Sequence, residues 1–152
     1  MFRYLILAAL VPAILATEGV TNCFAQHEQP LSVVVEGCAV APCNIQLGTE
    51  AIMRVVFNSH RDLVSFRPRT IAFLLGIPIP YELPPAITDH ACDHLEDGGE
   101  CPIPAGTVVT YRFQFPVGLN YPPTNNLQIE LSIMSHDDQV VNCIRVPINA
   151  VP

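Results

Sequence analysis

The chain has 152 residues, a net charge of -7 and seven arginines with no lysine. That balance argues against a nucleic-acid partner and against electrostatic docking on anionic lipid, both of which rest on clustered basic residues. Half of the residues are hydrophobic and none is tryptophan, a high apolar load for so short a chain.

Arg3 is followed by an apolar run from Tyr4 to Ala16, interrupted by Pro12 and closed by the polar pair Thr17-Glu18. A spanning helix needs about 20 apolar residues. A charged start, a shorter apolar stretch and a small final residue instead predict a secretory signal peptide over 1–16, cut near Ala16 or a few residues later. Residues 17–152 are then expected to form a single domain in an oxidising compartment, extracellular or in the lysosomal lumen. All six cysteines lie in that portion, an even number that reads as three disulfides. Spacing favours Cys38 with Cys43 around a turn-sized loop and Cys92 with Cys101 around Gly98-Gly99, leaving Cys23 for Cys143.

Leu31–Glu36 is β-branched and predicts a strand. In Ala51–Phe57 the residues Ala51, Met53, Val55 and Phe57 share one face, the core face of a second strand. Asn58–Asp62 is a polar break. Arg61, Arg67 and Arg69 form the chain's one basic cluster, expected on a solvated loop. Thr70–Leu75 is nearly continuously apolar, as in a strand buried on both sides or lying beneath the next segment.

That next segment, Gly76–Pro85, sets Ile77, Ile79, Tyr81 and Leu83 between prolines at 78, 80 and 84. Proline has no amide hydrogen for a sheet ladder, so the segment belongs at an edge or an opening. Apolar side chains on a backbone that cannot pair fully predict the lip of an apolar cavity. A second such stretch, Phe115–Pro123, carries Val117 and Tyr121 and fits the other side of an entrance. Val109–Phe115 and Leu127–Ile133 alternate apolar and polar residues, the pattern of half-buried antiparallel strands, and Val140–Ile148 reads as the last strand. Six or seven strands without a helical period indicate an all-β, immunoglobulin-like two-sheet β-sandwich. The apolar load has two readings: a well-filled core, or a cavity between sheets that stand apart.

No catalytic constellation stands out. Ser59 and His60 are neighbours in a polar loop, which is not triad geometry. His90-Ala91-Cys92-Asp93-His94 has metal-like letters, but an oxidised Cys92 leaves too few ligands for a closed zinc shell. The expectation is therefore no enzyme, no metal and no cofactor.

The six-cysteine frame, Pro42–Gly48 with Phe57 beyond it, Gly76–Tyr81, Cys101–Ile103 and Pro116-Val117 followed by Tyr121-Pro122 resemble the soluble sterol carrier of the Niemann-Pick type C pair, the epididymal secretory protein family of the ML (MD-2-related lipid-recognition) superfamily. The resemblance covers essentially all of residues 17–152. It implies a sandwich whose sheets part to admit a sterol, with Tyr81, Val117 and Tyr121 guarding and lining the pocket. It also implies lining positions at Ile45, Met53, Ile79, Phe115, Pro116 and Ile144. The function implied is a non-catalytic, monomeric carrier that passes a sterol or related lipid to a membrane sterol transporter or a receptor ectodomain. Two other roles fit the superfamily: innate-immune binding of microbial lipid such as lipopolysaccharide, and extracellular transport of a fatty acid or semiochemical. Two departures stand out, Tyr81 where phenylalanine is usual and Leu47 where a lysine is.

Overall fold

A computed structural model describes residues 15–23 and 27–152. The signal-peptide expectation for 1–16 therefore falls almost wholly outside the described residues. Thr17 is already part of the fold. Thr17 is buried; its hydroxyl donates to the Cys38 carbonyl and accepts from the Val35 N–H, both at 2.8 Å.

The described residues form nine strands: β1 (Thr21–Asn22), β2 (Ser32–Val35), β3 (Cys43–Gln46), β4 (Thr49–Asn58), β5 (Phe66–Leu74), β6 (Ile77–Ile79), β7 (Val108–Val117), β8 (Thr124–Ser135) and β9 (Val140–Val151). One short helix, α1 (Pro85–Thr88), and a 3-10 turn at Ala91–His94 lie between β6 and β7. β2, β4 and β7 form an antiparallel sheet in that order. The larger sheet runs β1-β9-β8-β5-β6, with β3 parallel to β9 beyond the stretch that β1 occupies. The two sheets face one another as a β-sandwich.

Alternation builds the core. On β4 the buried side chains are Ala51, Met53, Val55 and Phe57, and on β7 they are Val109, Tyr111, Phe113, Phe115 and Val117. β8 contributes Leu127, Ile129, Leu131 and Ile133 from the opposite sheet. Aromatic rings knit the centre: Phe66 meets Tyr111 edge-on at 5.0 Å, and Phe113 stacks on Phe115 at 5.4 Å. Disulfides join Cys23 to Cys143, Cys38 to Cys43 and Cys92 to Cys101.

Two local expectations are corrected. Arg67 and Arg69 are not on a loop but on β5, pointing outward while Pro68 and Thr70 point in. Pro68 is tolerated because β6 pairs only with Ala72–Leu74, so the stretch around Pro68 has β8 on one side and no strand on the other. The same alternation runs through Thr70–Leu75, which is not buried on both faces. Phe73 is half-exposed on the outer face, where the Arg145 guanidinium lies 4.8 Å from its ring centre.

β6 is the edge that its prolines require. It pairs for three residues, Ile77 to Ile79, and the chain leaves the sheet at Pro80. Ile79, Tyr81 and Leu83 turn toward the protein, whereas Ile77 beside the hairpin tip is 67% exposed.

Candidate functional site

Where β6 ends, the edge of the larger sheet is no longer held against the smaller one, and a cavity of about 260 Å³ opens between them. Its floor comes from inward positions of three strands: Ala72 and Leu74 on β5, Leu127 and Ile129 on β8, Ile148 and Ala150 on β9. Phe115 and Val117 at the end of β7 form the facing wall. The mouth is made by Ile79, Pro80 and Tyr81 on one side and Tyr121, Pro122 and Thr124 on the other. Almost every lining group is apolar, so the cavity offers burial rather than chemistry.

The two tyrosines meet at its mouth. Their rings are tilted against each other with centres 6.2 Å apart. The Tyr81 hydroxyl donates to the Pro116 carbonyl at 2.8 Å, which latches the lip of the larger sheet onto β7 of the smaller one. Loss of hydration on burial, and secondarily the neighbouring Tyr121, hold the Tyr81 phenol well above its ordinary pKa. It therefore stays a neutral donor.

The loop carrying Tyr121 is positioned by backbone. The Gly48 N–H donates to the Val117 carbonyl, and the Leu119 side chain sits so close that a Cβ on Gly48 would approach it at 2.9 Å. Gly48 has φ +79°, so a side chain there would meet both strain and a neighbour.

Of the residues singled out in the sequence, Ile79, Tyr81, Phe115, Val117 and Tyr121 come together at the cavity. Pro116 points to the other face of β7 and takes part through its carbonyl. Ile45, Met53 and Ile144 are buried in the packed core and are not among the cavity's walls. Ala72, Leu74, Leu127, Ile129, Ile148 and Ala150 are lining residues that the sequence reading does not single out. Their signal is the strand alternation itself, which gives their side but not the void they face.

Beyond Tyr81 lies an open groove of about 560 Å³, flanked by Arg67–Thr70 of β5 and by Tyr81–Leu83, Thr88 and Asp89. Elsewhere, Arg61 pairs with Asp137 at 3.7 Å and Arg67 with Asp138, so the acidic turn after β8 offsets two of the three clustered arginines. Cys92 is held in its disulfide, and the His90 ring lies 3.5 Å from the Asp93 carboxylate on the surface.

A family model described as the ML domain matches residues 19–150, nearly the whole described fold. The chain belongs to the ML-domain family. This ML domain is 23% identical over 129 residues to the ecdysteroid-regulated 16 kDa protein of Manduca sexta, with 84% of each chain covered. Its fold is similar to that of a Niemann-Pick type C2 protein from the Japanese carpenter ant, with a TM-score of 0.69 and 19% identity over 86% of this chain and 97% of that one. It is also similar to chicken MD-1, crystallised in complex with lipid IVa, with a TM-score of 0.54 and 12% identity over 83% of each chain. At these identities the structural likeness establishes a shared sandwich.

Proposed function

We propose that this ML domain is a secreted or lysosomal carrier that holds an apolar lipid, sterol-like or similar, between its sheets and hands it on without altering it. The observation that carries this reading is the cavity itself: an apolar space between two sheets, with walls from both and two tyrosines at its mouth. Packed interiors do not retain such a space without cost, because the walls forgo dispersion contacts that a ligand would restore. A lipid buried there gains about 25 cal/mol for each Å² of apolar surface removed from water, several kcal/mol in all before the cost of association.

At about 30 Å³ per water-sized group, a space of 260 Å³ corresponds to roughly nine methylenes. A bulkier ligand would enter as Tyr81 and Tyr121 swing apart and the lip lifts. That motion is available because β6 is paired for only three residues. Delivery to a membrane transporter or a receptor ectodomain would use the same opening.

The complex of chicken MD-1 with lipid IVa supports a second reading, recognition of a microbial lipid. The pairing of Arg61 and Arg67 with Asp137 and Asp138 leaves little free positive charge to hold a lipid phosphate, so the carrier reading is preferred. Native mass spectrometry of protein secreted from eukaryotic cells, followed by organic extraction, tests the choice. A stoichiometric sterol or single-chain lipid is expected. A phosphorylated glycolipid would favour the second reading, and a protein that arrives empty and takes up no lipid in titration would overturn both.

A further inference from the structure

We propose that the groove beyond Tyr81 is a second compartment of the same site, and that Thr70 on its wall receives an uncharged hydroxyl of the lipid whose apolar body fills the cavity. This rests on the lipid-carrier reading and adds to it the chemistry of the ligand's head. The inward face of β5 runs through both spaces: Pro68 and Thr70 border the groove, Ala72 and Leu74 the cavity. Tyr81 borders both and is the partition between them. Breaking its hydroxyl bond to the Pro116 carbonyl frees the ring to turn and joins the two volumes.

The compartments differ in chemistry. The cavity is lined almost wholly by carbon, whereas the groove presents side chains of Arg, Thr, Glu and Asp. Thr70 is 8% exposed, and its Oγ1 is sealed from solvent with no hydrogen-bond partner among the described residues, so a ligand group reaches it only once the Tyr81 ring has turned aside. A buried hydroxyl left unpaired is disfavoured, and valine would fill the same space beside Pro68 and Ala72 without that penalty. A hydroxyl in that place is suited to a partner that arrives with the ligand.

Charge selects the partner. Arg67 is engaged by Asp138, which leaves Arg69 against Glu82 and Asp89 around the groove. With no surplus of positive charge, the site is poorly suited to a carboxylate or phosphate. An alcohol needs none, since it both donates to and accepts from Thr70. Size agrees: a chain longer than the roughly nine groups to which 260 Å³ corresponds reaches beyond the cavity, and Tyr81 borders the groove on that side. Straight-chain alcohols and sterols share this chemistry, an apolar body with one hydroxyl.

The test is displacement of N-phenyl-1-naphthylamine from the delipidated protein by 1-dodecanol, cholesterol, dodecanoate and dodecane, with the wild type, Thr70→Val and Thr70→Ser. Thr70→Val is expected to bind at least one of the two alcohols about 5-fold more weakly, with dodecane unchanged and Thr70→Ser restoring affinity. The alcohol that loses affinity identifies the source, straight-chain or sterol. The melting temperature of Thr70→Val is expected to equal or exceed that of the wild type, which separates lost recognition from lost folding. Equal loss for dodecane, no loss for either alcohol, or dodecanoate binding more tightly than both alcohols would overturn the subsite while leaving the carrier intact. Failure of every lipid to displace the dye from the wild type would overturn the carrier reading as well.

Discussion

Val117→Phe is the perturbation that isolates the cavity from the rest of the fold. Val117 ends β7 with its side chain on the cavity wall, while its carbonyl accepts the Gly48 N–H, a bond that the substitution leaves in place. Phenylalanine adds four carbons, which at about 30 Å³ per group take up about 120 Å³ of the 260 Å³ available. A chain lipid then loses about four buried methylenes, worth ~0.8 kcal/mol each, or about 3 kcal/mol in total. That corresponds to an affinity roughly 200-fold weaker. Overfilling a packed core costs about 1–3 kcal/mol, but here the ring enters open space, so the loss of stability should lie at or below the bottom of that range. The assay is a dye-displacement titration alongside a thermal melt. A variant that melts like the wild type and binds within about 3-fold of it would refute the assignment of ligand to this cavity.

Tyr81→Phe keeps the ring and removes the latch to Pro116, so ligand release should quicken about 5-fold in stopped-flow dilution; an unchanged release rate would mean the hydroxyl does not hold the mouth. Replacing Cys23 and Cys143 with serine opens a 120-residue loop and should cost about 5 kcal/mol in denaturant unfolding. A loss under about 1 kcal/mol would show that this closure contributes little. Burial raises the pKa of both Tyr81 and Tyr111, so below the ordinary tyrosine value near 10 both the folded and unfolded states keep these protons and stability is unaffected. Above it the unfolded chain releases protons that the fold retains, and stability falls as pH rises. Phenolate absorbance should show these two tyrosines ionising only as the protein unfolds, and reversible ionisation of both near pH 10 with the fold intact would contradict their burial.

Much of the sandwich was legible because period-two alternation needs no long-range information. Val109, Tyr111, Phe113 and Phe115 declare a core face by themselves, and they occupy it. The prolines at 78 and 80 likewise place β6 at an edge, since the lack of an amide donor is a local fact. β3 was not legible as a strand: its four residues are too few to show a period, and its partners Ile148–Val151 lie about a hundred positions away. Arg67 and Arg69 were expected on a loop, and Pro68 between them is acceptable within β5 because no strand among the described residues pairs with that side. Met53 and Ile129 show the limit at the site. Alternation points both inward, but whether an inward side chain meets another or a void depends on how far apart the sheets stand, and that distance is a property of the assembled pair.

The place of β9 in the larger sheet also fixes when the chain can close. β1 and β3 come from its first third, yet both hydrogen-bond to β9, its final strand. At about 5–20 residues per second, the ribosome makes the residues between Cys23 and Cys143 over many seconds. Cys38–Cys43 and Cys92–Cys101 span five and nine positions and can close as they emerge, while Cys23 must wait as a thiol. The smaller sheet, β2-β4-β7, lies wholly before β8 and can be completed first. The smaller sheet is thus available before the larger one is complete, and the cavity comes into being last, when β8 and β9 join β5 in its floor.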